Sequence, residues 1–160
     1  MKRWILLVAL FLTTALAAED HKDVFMRAYG CQLHDYFSMT EYAPVADLIL
    51  AKAAFESGWG RAGWVDKSNQ VFAMHNHNPG DKDKKKKSKD IVKNYSSFEE
   101  SLLAQYEYYV RRKYPAQRDK FVAALDRYCP KETCGVKDYQ QKILAAEKTL
   151  KKARQKSCVF

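Results

Sequence analysis

The chain has 160 residues, 47% of them hydrophobic, and a formal charge of +9. That length is enough for one domain with a single core, and one domain is expected. The basic balance excludes no function class by itself. It does favour contact with polyanions, and for an exported chain these are envelope polymers or anionic lipid headgroups rather than nucleic acid.

Lys2 and Arg3 precede the apolar run WILLVALFL, and Ala15-Leu16-Ala17 closes the segment. This is the layout of a cleavable signal peptide, predicted over 1–17, with the mature chain starting at Ala18 and a single domain over 18–160. The competing assignment is an uncleaved N-terminal anchor. The run is shorter than the roughly 20 residues needed to cross a bilayer, so export to the periplasm or beyond is expected, with no stable membrane insertion afterwards. Removing Lys2 and Arg3 leaves a charge of 9 − 2 = +7.

The mature part reads as helices joined by short polar connections. A first helix is predicted over Lys22 to Phe37, with Val24, Phe25, Ala28, Leu33 and Tyr36 as its apolar side. A second starts near Thr40, tolerates Pro44 in its first turn and runs to about Ser57, where Gly58 and Gly60 end it. The span from Val71 to Tyr95 has no helical period. Pro79-Gly80 marks a turn there, Asp90 to Tyr95 can form a short strand, and a small hairpin or bare loop is expected to project from the helical body.

A third helix opens at Ser96 or Ser97, where Ser96-Ser97-Phe98-Glu99-Glu100 offers capping-box spacing in two registers, and runs to about Lys113 before Pro115. Its predicted apolar side is Leu102, Leu103, Tyr106, Tyr109 and Val110. The fourth helix spans Arg118 to Tyr128. A fifth begins at Asp138, whose carboxylate can cap it, with Gln141 at the third helical position. The four cysteines, Cys31, Cys129, Cys134 and Cys158, suggest two disulfides in an oxidising compartment. Of the three connectivities, Cys129–Cys134 with Cys31–Cys158 is favoured, closing one local loop and tying the two ends together.

Glu56 carries the most chemistry. It ends the apolar segment Leu48-Ile49-Leu50-Ala51-Lys52-Ala53-Ala54-Phe55 and is followed by Ser57-Gly58-Trp59-Gly60. A carboxyl group at the end of a buried helix is partly desolvated and lies near the negative end of the helix dipole, and both effects favour its protonated form. Such a group suits general acid catalysis. The glycines let the chain turn away sharply, and Trp59 offers a face on which a sugar ring can stack. On chemistry alone, an ordinary exposed glutamate at a helix end is an equal competitor.

Ala51-Lys52-Ala53-Ala54-Phe55-Glu56-Ser57-Gly58-Trp59-Gly60 resembles the AQAALESGWG signature of the glucosaminidase family of peptidoglycan hydrolases, which includes flagellar muramidase-type enzymes and autolysins. Ser68-Asn69-Gln70-Val71-Phe72-Ala73-Met74 resembles that family's NNLFGI element. Tyr95-Ser96-Ser97-Phe98-Glu99-Glu100-Ser101 is similar to its YDSWEES, and Asp138-Tyr139-Gln140-Gln141-Lys142-Ile143-Leu144 to its DPNYAQKIL. The four elements occur in the family's order over roughly Phe25 to Leu150. The first alone is less specific, because lytic transglycosylases and goose-type lysozymes also place a Glu-Ser pair at a helix end.

The resemblance implies a mainly α, lysozyme-like helical domain with a reduced β-hairpin or loop lobe. It implies an endo-β-N-acetylglucosaminidase that cuts β-1,4 bonds at N-acetylglucosamine in peptidoglycan glycan strands, with Glu56 as general acid. The oxocarbenium-like transition state normally calls for a second carboxylate. In the family this group sits on a longer lobe between the second and third elements. Here that lobe is short and Lys-rich, and Asp83, Asp81 and, less favoured, Asp90 are its carboxylates. Assistance from the sugar's 2-acetamido group, or attack by unactivated water, are the other routes. Asn69, Phe72, His75, His77 and Trp59 are candidate substrate contacts. The family's GYATD tyrosine is missing at its aligned place, with Tyr128 and Tyr95 as substitutes, and Ala73 replaces a family glycine.

His75 and His77 lack a third strong ligand at fixed spacing, so polar contacts to sugar are favoured over a metal site, and no cofactor is expected. Lys84 to Lys87 are a solvated run that can also attract an anionic envelope. A monomer is expected. Two other readings stay open: a non-catalytic wall-binding or assembly protein on the same fold, and a lytic transglycosylase or muramidase.

Overall fold

The structure, a computed structural model, describes residues 19–74, 92–128 and 138–158, the side chains of 126–128 excepted. The predicted signal peptide, most of the Lys-rich lobe and the Cys129–Cys134 loop lie outside these residues.

The described chain is mainly helical, with a single bridge residue at Val92 in place of the short strand. The elements in order are α1 (His21–Phe25), a π turn (Met26–Gly30), α2 (Cys31–Ser38), a 3-10 turn (Ala43–Val45), α3 (Ala46–Glu56), α4 (Val65–Ser68), α5 (Phe98–Arg111), α6 (Arg118–Tyr128) and α7 (Tyr139–Ser157). Among the described residues no helix is long and apolar enough to cross a membrane.

The helix predicted from Lys22 is therefore α1 and α2 joined through a π turn. The wider turn adds a residue to the cycle and rotates the faces before it. Val24 is 44% exposed, while Phe25, Met26, Leu33 and Phe37 are buried. Gly30, the last residue of the turn, is buried, and a Cβ there would lie 2.6 Å from Met26 Sδ. The helix predicted from Thr40 starts later. Pro44 occupies the 3-10 turn, whose fixed φ suits it, and α3 follows at Ala46.

Helix α3 is the hub. Ala46, Leu48, Ile49, Leu50, Ala51, Ala53 and Ala54 are all buried, and a helix apolar on every side belongs in the centre of a bundle. Its alanines let α7 approach closely along its length. α7 answers with a buried stripe of Tyr139, Ile143, Ala146, Leu150 and Ala153, at helical spacing. Burial of α5 falls on Ser101, Leu102, Gln105 and Tyr109. The predicted Leu103 and Val110 are instead 47% and 45% exposed, because α5 turns a narrower face to the core with Gln105 inside it.

Local caps match one prediction and correct another. Ser97 caps α5 by accepting from the Glu100 amide at 3.2 Å, and Glu100 reaches back to the Ser96 amide at 2.7 Å. Asp138, expected to cap α7 with its carboxylate, makes no such bond. Its φ of 58° is left-handed, whereas side-chain capping works from an extended residue.

Polar ties fix α7 to its neighbours. Arg118 of α6 grips Glu147 through two bonds of 2.6 Å, and Asp47 of α3 pairs with Arg154 at 3.2 Å. Cys31 and Cys158 form the predicted end-to-end disulfide, with Cα atoms 5.6 Å apart.

Candidate active site

Glu56 is the last residue of α3, and its side chain is 10% exposed. The chain places it there because the apolar run before it must stay buried until Ser57. Ser57 Oγ then accepts the Gly60 amide at 2.9 Å, and the Trp59 amide bonds back to the Ala54 carbonyl at 2.7 Å. Gly58, Trp59 and Gly60 have φ values of 56°, 62° and 76°. Left-handed geometry comes freely to glycine and carries strain at a bulky tryptophan. A Cβ at Gly60 would also crowd Tyr29 and Phe25, at 3.2 and 3.3 Å.

Both oxygens of the Glu56 carboxylate are engaged from within the fold. Lys52, one turn earlier on α3 and 0% exposed, donates from Nζ to Oε2 at 3.0 Å. Tyr139, the first residue of α7, donates from its hydroxyl to Oε1 at 2.7 Å. The Tyr139 ring stands edge-on to Phe55 at 5.7 Å between centroids. Lys52 also lies over the rings of Phe72 and Tyr109, at 5.3 and 5.9 Å from their centroids.

Desolvation and the helix end favour a protonated Glu56, as the sequence indicates, but these two donors pull toward the carboxylate. Burial pushes the Lys52 ammonium below its usual range, and the Glu56 charge works against that push. Burial and then the Glu56 charge raise the Tyr109 hydroxyl well above the tyrosine range.

Neither Lys52 nor Tyr139 is among the sequence candidates. The four-residue spacing of Lys52 and Glu56 inside an apolar helix is the signal for the first. The second is 83 positions away from Glu56 in the chain, and only its place in the DPNYAQKIL-like element hints at it.

The other candidates have mixed placements. Trp59 is half-buried, with its ring edge-on to His21 at 5.8 Å and Phe25 at 6.3 Å, and with Lys22 Nζ 5.9 Å from its centroid. Asn69 donates to the Tyr95 carbonyl at 2.8 Å. Phe72, expected to touch sugar, is 0% exposed and packs against Phe37. Tyr95 is 6% exposed and turns its hydroxyl to Met74 Sδ at 3.3 Å. These last two belong to the core because the segment around them folds inward to close the lobe.

Lys93 N bonds the Met74 carbonyl at 2.8 Å, and the buried Gln70 side chain ties the Met74 amide and the Lys93 carbonyl. The lobe thus leaves and re-enters the body at neighbouring points. His75, His77, Asp81, Asp83, Asp90, Cys129, Cys134 and the side chain of Tyr128 lie outside the described residues.

Ala73, which replaces the family glycine, has a φ of 47°. This conformation costs an L-residue about 1–2 kcal/mol, against about 0.5–1 kcal/mol for the extra freedom of glycine in the unfolded chain. Ala73→Gly is therefore expected to stabilise the protein by about 0.5–1 kcal/mol, read as a higher urea midpoint at unchanged slope. An unchanged or lower midpoint contradicts it.

In comparison with known proteins, the family model described as Glucosaminidase, mannosyl-glycoprotein endo-beta-N-acetylglucosaminidase, matches residues 37–153. No curated protein and no solved structure matches the chain.

Proposed function

Since the chain belongs to the glucosaminidase family, we propose that it is an exported peptidoglycan hydrolase that cuts β-1,4 bonds at N-acetylglucosamine with Glu56 as general acid. The observation that carries this reading is the Glu56 carboxyl group itself, held at the terminus of α3 by Tyr139 and Lys52 in a largely dry setting. Protonation of the glycosidic oxygen lets the C–O bond break, and water closes the oxocarbenium-like centre. Asp83 or Asp81, on the lobe whose ends meet at Met74 and Lys93, is the proposed partner that activates water or acts as nucleophile. Trp59 and the lobe histidines His75 and His77 are the proposed sugar contacts.

Digestion of purified peptidoglycan followed by mass spectrometry tests the bond cleaved. New reducing-end N-acetylglucosamine supports the reading, and anhydromuramic products indicate a lytic transglycosylase instead. A second reading, a wall-binding or assembly protein without turnover, rests on the short lobe and the missing family tyrosine, and a folded protein that releases no reducing ends would favour it.

Adsorption to an anionic envelope belongs to the same proposal. A cavity of about 510 Å³ between α1 and α7 is lined by Lys22, Lys148, Lys152 and Lys156 along with Asp20 and Asp23, and Asp23 already pairs with Lys156 at 2.6 Å. The double variant Lys148→Gln/Lys152→Gln is expected to sediment less with teichoic-acid-bearing walls at an ionic strength of about 0.01 M, where charges act over about 30 Å. The difference should vanish near 1 M, where they act over about 3 Å. Equal sedimentation at low salt contradicts the role of this face.

A further inference from the structure

We infer that Lys52 is a positioning residue that fixes the Glu56 carboxylate in place and keeps it ionised, so that the acid form needed for bond cleavage appears only as the pH falls. The inference rests on the glycosidase reading above and goes beyond it by naming what gates the proton.

The Lys52 ammonium group is fully buried, flanked by the faces of Phe72 and Tyr109, and 3.0 Å from Glu56 Oε2. A buried ammonium group is costly without a counter-charge, and an opposite charge at hydrogen-bond distance favours the ionised form of both partners. Among the described residues, Lys52 on its own helix, Tyr139 from α7 and Tyr109 from α5 are titratable groups that act on Glu56. Tyr139 also donates to the carboxylate, and Tyr109 is held neutral by burial, so Lys52 supplies the only positive charge of the three.

Two groups this close titrate as a pair. With one proton between them, the pair rests as ammonium and carboxylate. Uptake of a second proton gives Glu56 the hydrogen it passes to the glycosidic oxygen. The bond's electron pair goes to that oxygen, and Glu56 returns to the carboxylate beside Lys52.

Lys52 delays proton uptake on Glu56 to lower pH, so removing its charge lets the acid form persist to higher pH. The test is the pH dependence of kcat/KM for release of reducing ends from peptidoglycan by wild type, Lys52→Gln and Lys52→Arg. Lys52→Gln is expected to move the upper limb of the profile up by about one pH unit or more, in the range that neighbouring charges produce, while Lys52→Arg leaves it near wild type. An upper limb that stays in place in Lys52→Gln, or activity lost at low pH without any gain at high pH, overturns the inference.

If Lys52→Gln fails to fold, the carboxyl ¹³C titration of Glu56, followed together with the Lys52 side-chain ¹⁵N signal in the wild-type chain, decides. Over the pH range in which Glu56 is a carboxylate, the Lys52 side-chain ¹⁵N signal is expected to be that of an ammonium group and to respond when Glu56 takes up its proton, and a neutral-amine Lys52 signal there, or none that responds, overturns the inference. The titration needs no substrate. A wild-type protein that releases no reducing ends at any pH therefore counts against the glycosidase reading alone, and the two failures stay distinguishable.

Discussion

Glu56→Gln is expected to lower the release of reducing ends from peptidoglycan by about 10²–10⁴-fold, the usual contribution of a positioned general acid. The amide keeps the size of the side chain and can still accept the Tyr139 hydroxyl, but it has no proton to give to a leaving oxygen. The change should therefore act on turnover more than on architecture, and far-UV circular dichroism should report unchanged helix content. Some stability is lost as well, because Lys52 then faces a neutral amide where it had a carboxylate at 3.0 Å. Assays belong well below the unfolding midpoint of the variant. Activity equal to wild type would remove Glu56 from the mechanism. Inactivity of both proteins, each folded, would support the non-catalytic reading.

The largest stability effect is expected at the disulfide. Cys31 begins α2 and Cys158 follows α7, a sequence separation of 127. Cross-linking so long a loop removes much of the freedom of the unfolded chain, worth about 4–5 kcal/mol in the entropic account and about 2–4 kcal/mol in typical proteins. Against a total stability of about 5–15 kcal/mol, this is a substantial share. The double variant Cys31→Ser/Cys158→Ser should show a urea midpoint lowered to match a loss of about 3 kcal/mol, and the wild type should fall similarly when reduced. A midpoint unmoved by either treatment would mean that the noncovalent packing of α7 against α1 and α3 already holds the ends together.

The helical class, the extents of α5 and α6 and the Ser97 cap are legible because local rules produce them. Apolar periodicity, a serine before a Glu pair and a proline after the helix all act within a few residues. The π turn is not legible in the same way. It spans Met26–Gly30, and Val24 just before it is 44% exposed. Leu103 and Val110 also mislead. An apolar residue on the outer flank of a half-buried helix costs little, so hydrophobicity marks the core in one direction only.

Residue types and spacing alone determined the helical body and the place of Glu56 at a helix terminus beside a glycine-bounded turn, because those features depend on neighbours along the chain. Four cysteines allow three pairings, and the tertiary structure decided for Cys31–Cys158 by bringing the two ends within disulfide reach. Only the tertiary structure decided which donors grip the Glu56 carboxylate, that Phe72 and Tyr95 go inside, and that Ala73 takes a left-handed backbone. The Tyr139 grip depends on α7 meeting the end of α3, and the burial of Tyr95 goes with its amide bonding the Ser68 carbonyl, contacts between segments apart in sequence. Lys52 shows the boundary most clearly: its spacing from Glu56 is visible in the sequence, but its complete burial beneath Phe72 and Tyr109 exists only once α3 and α5 are packed.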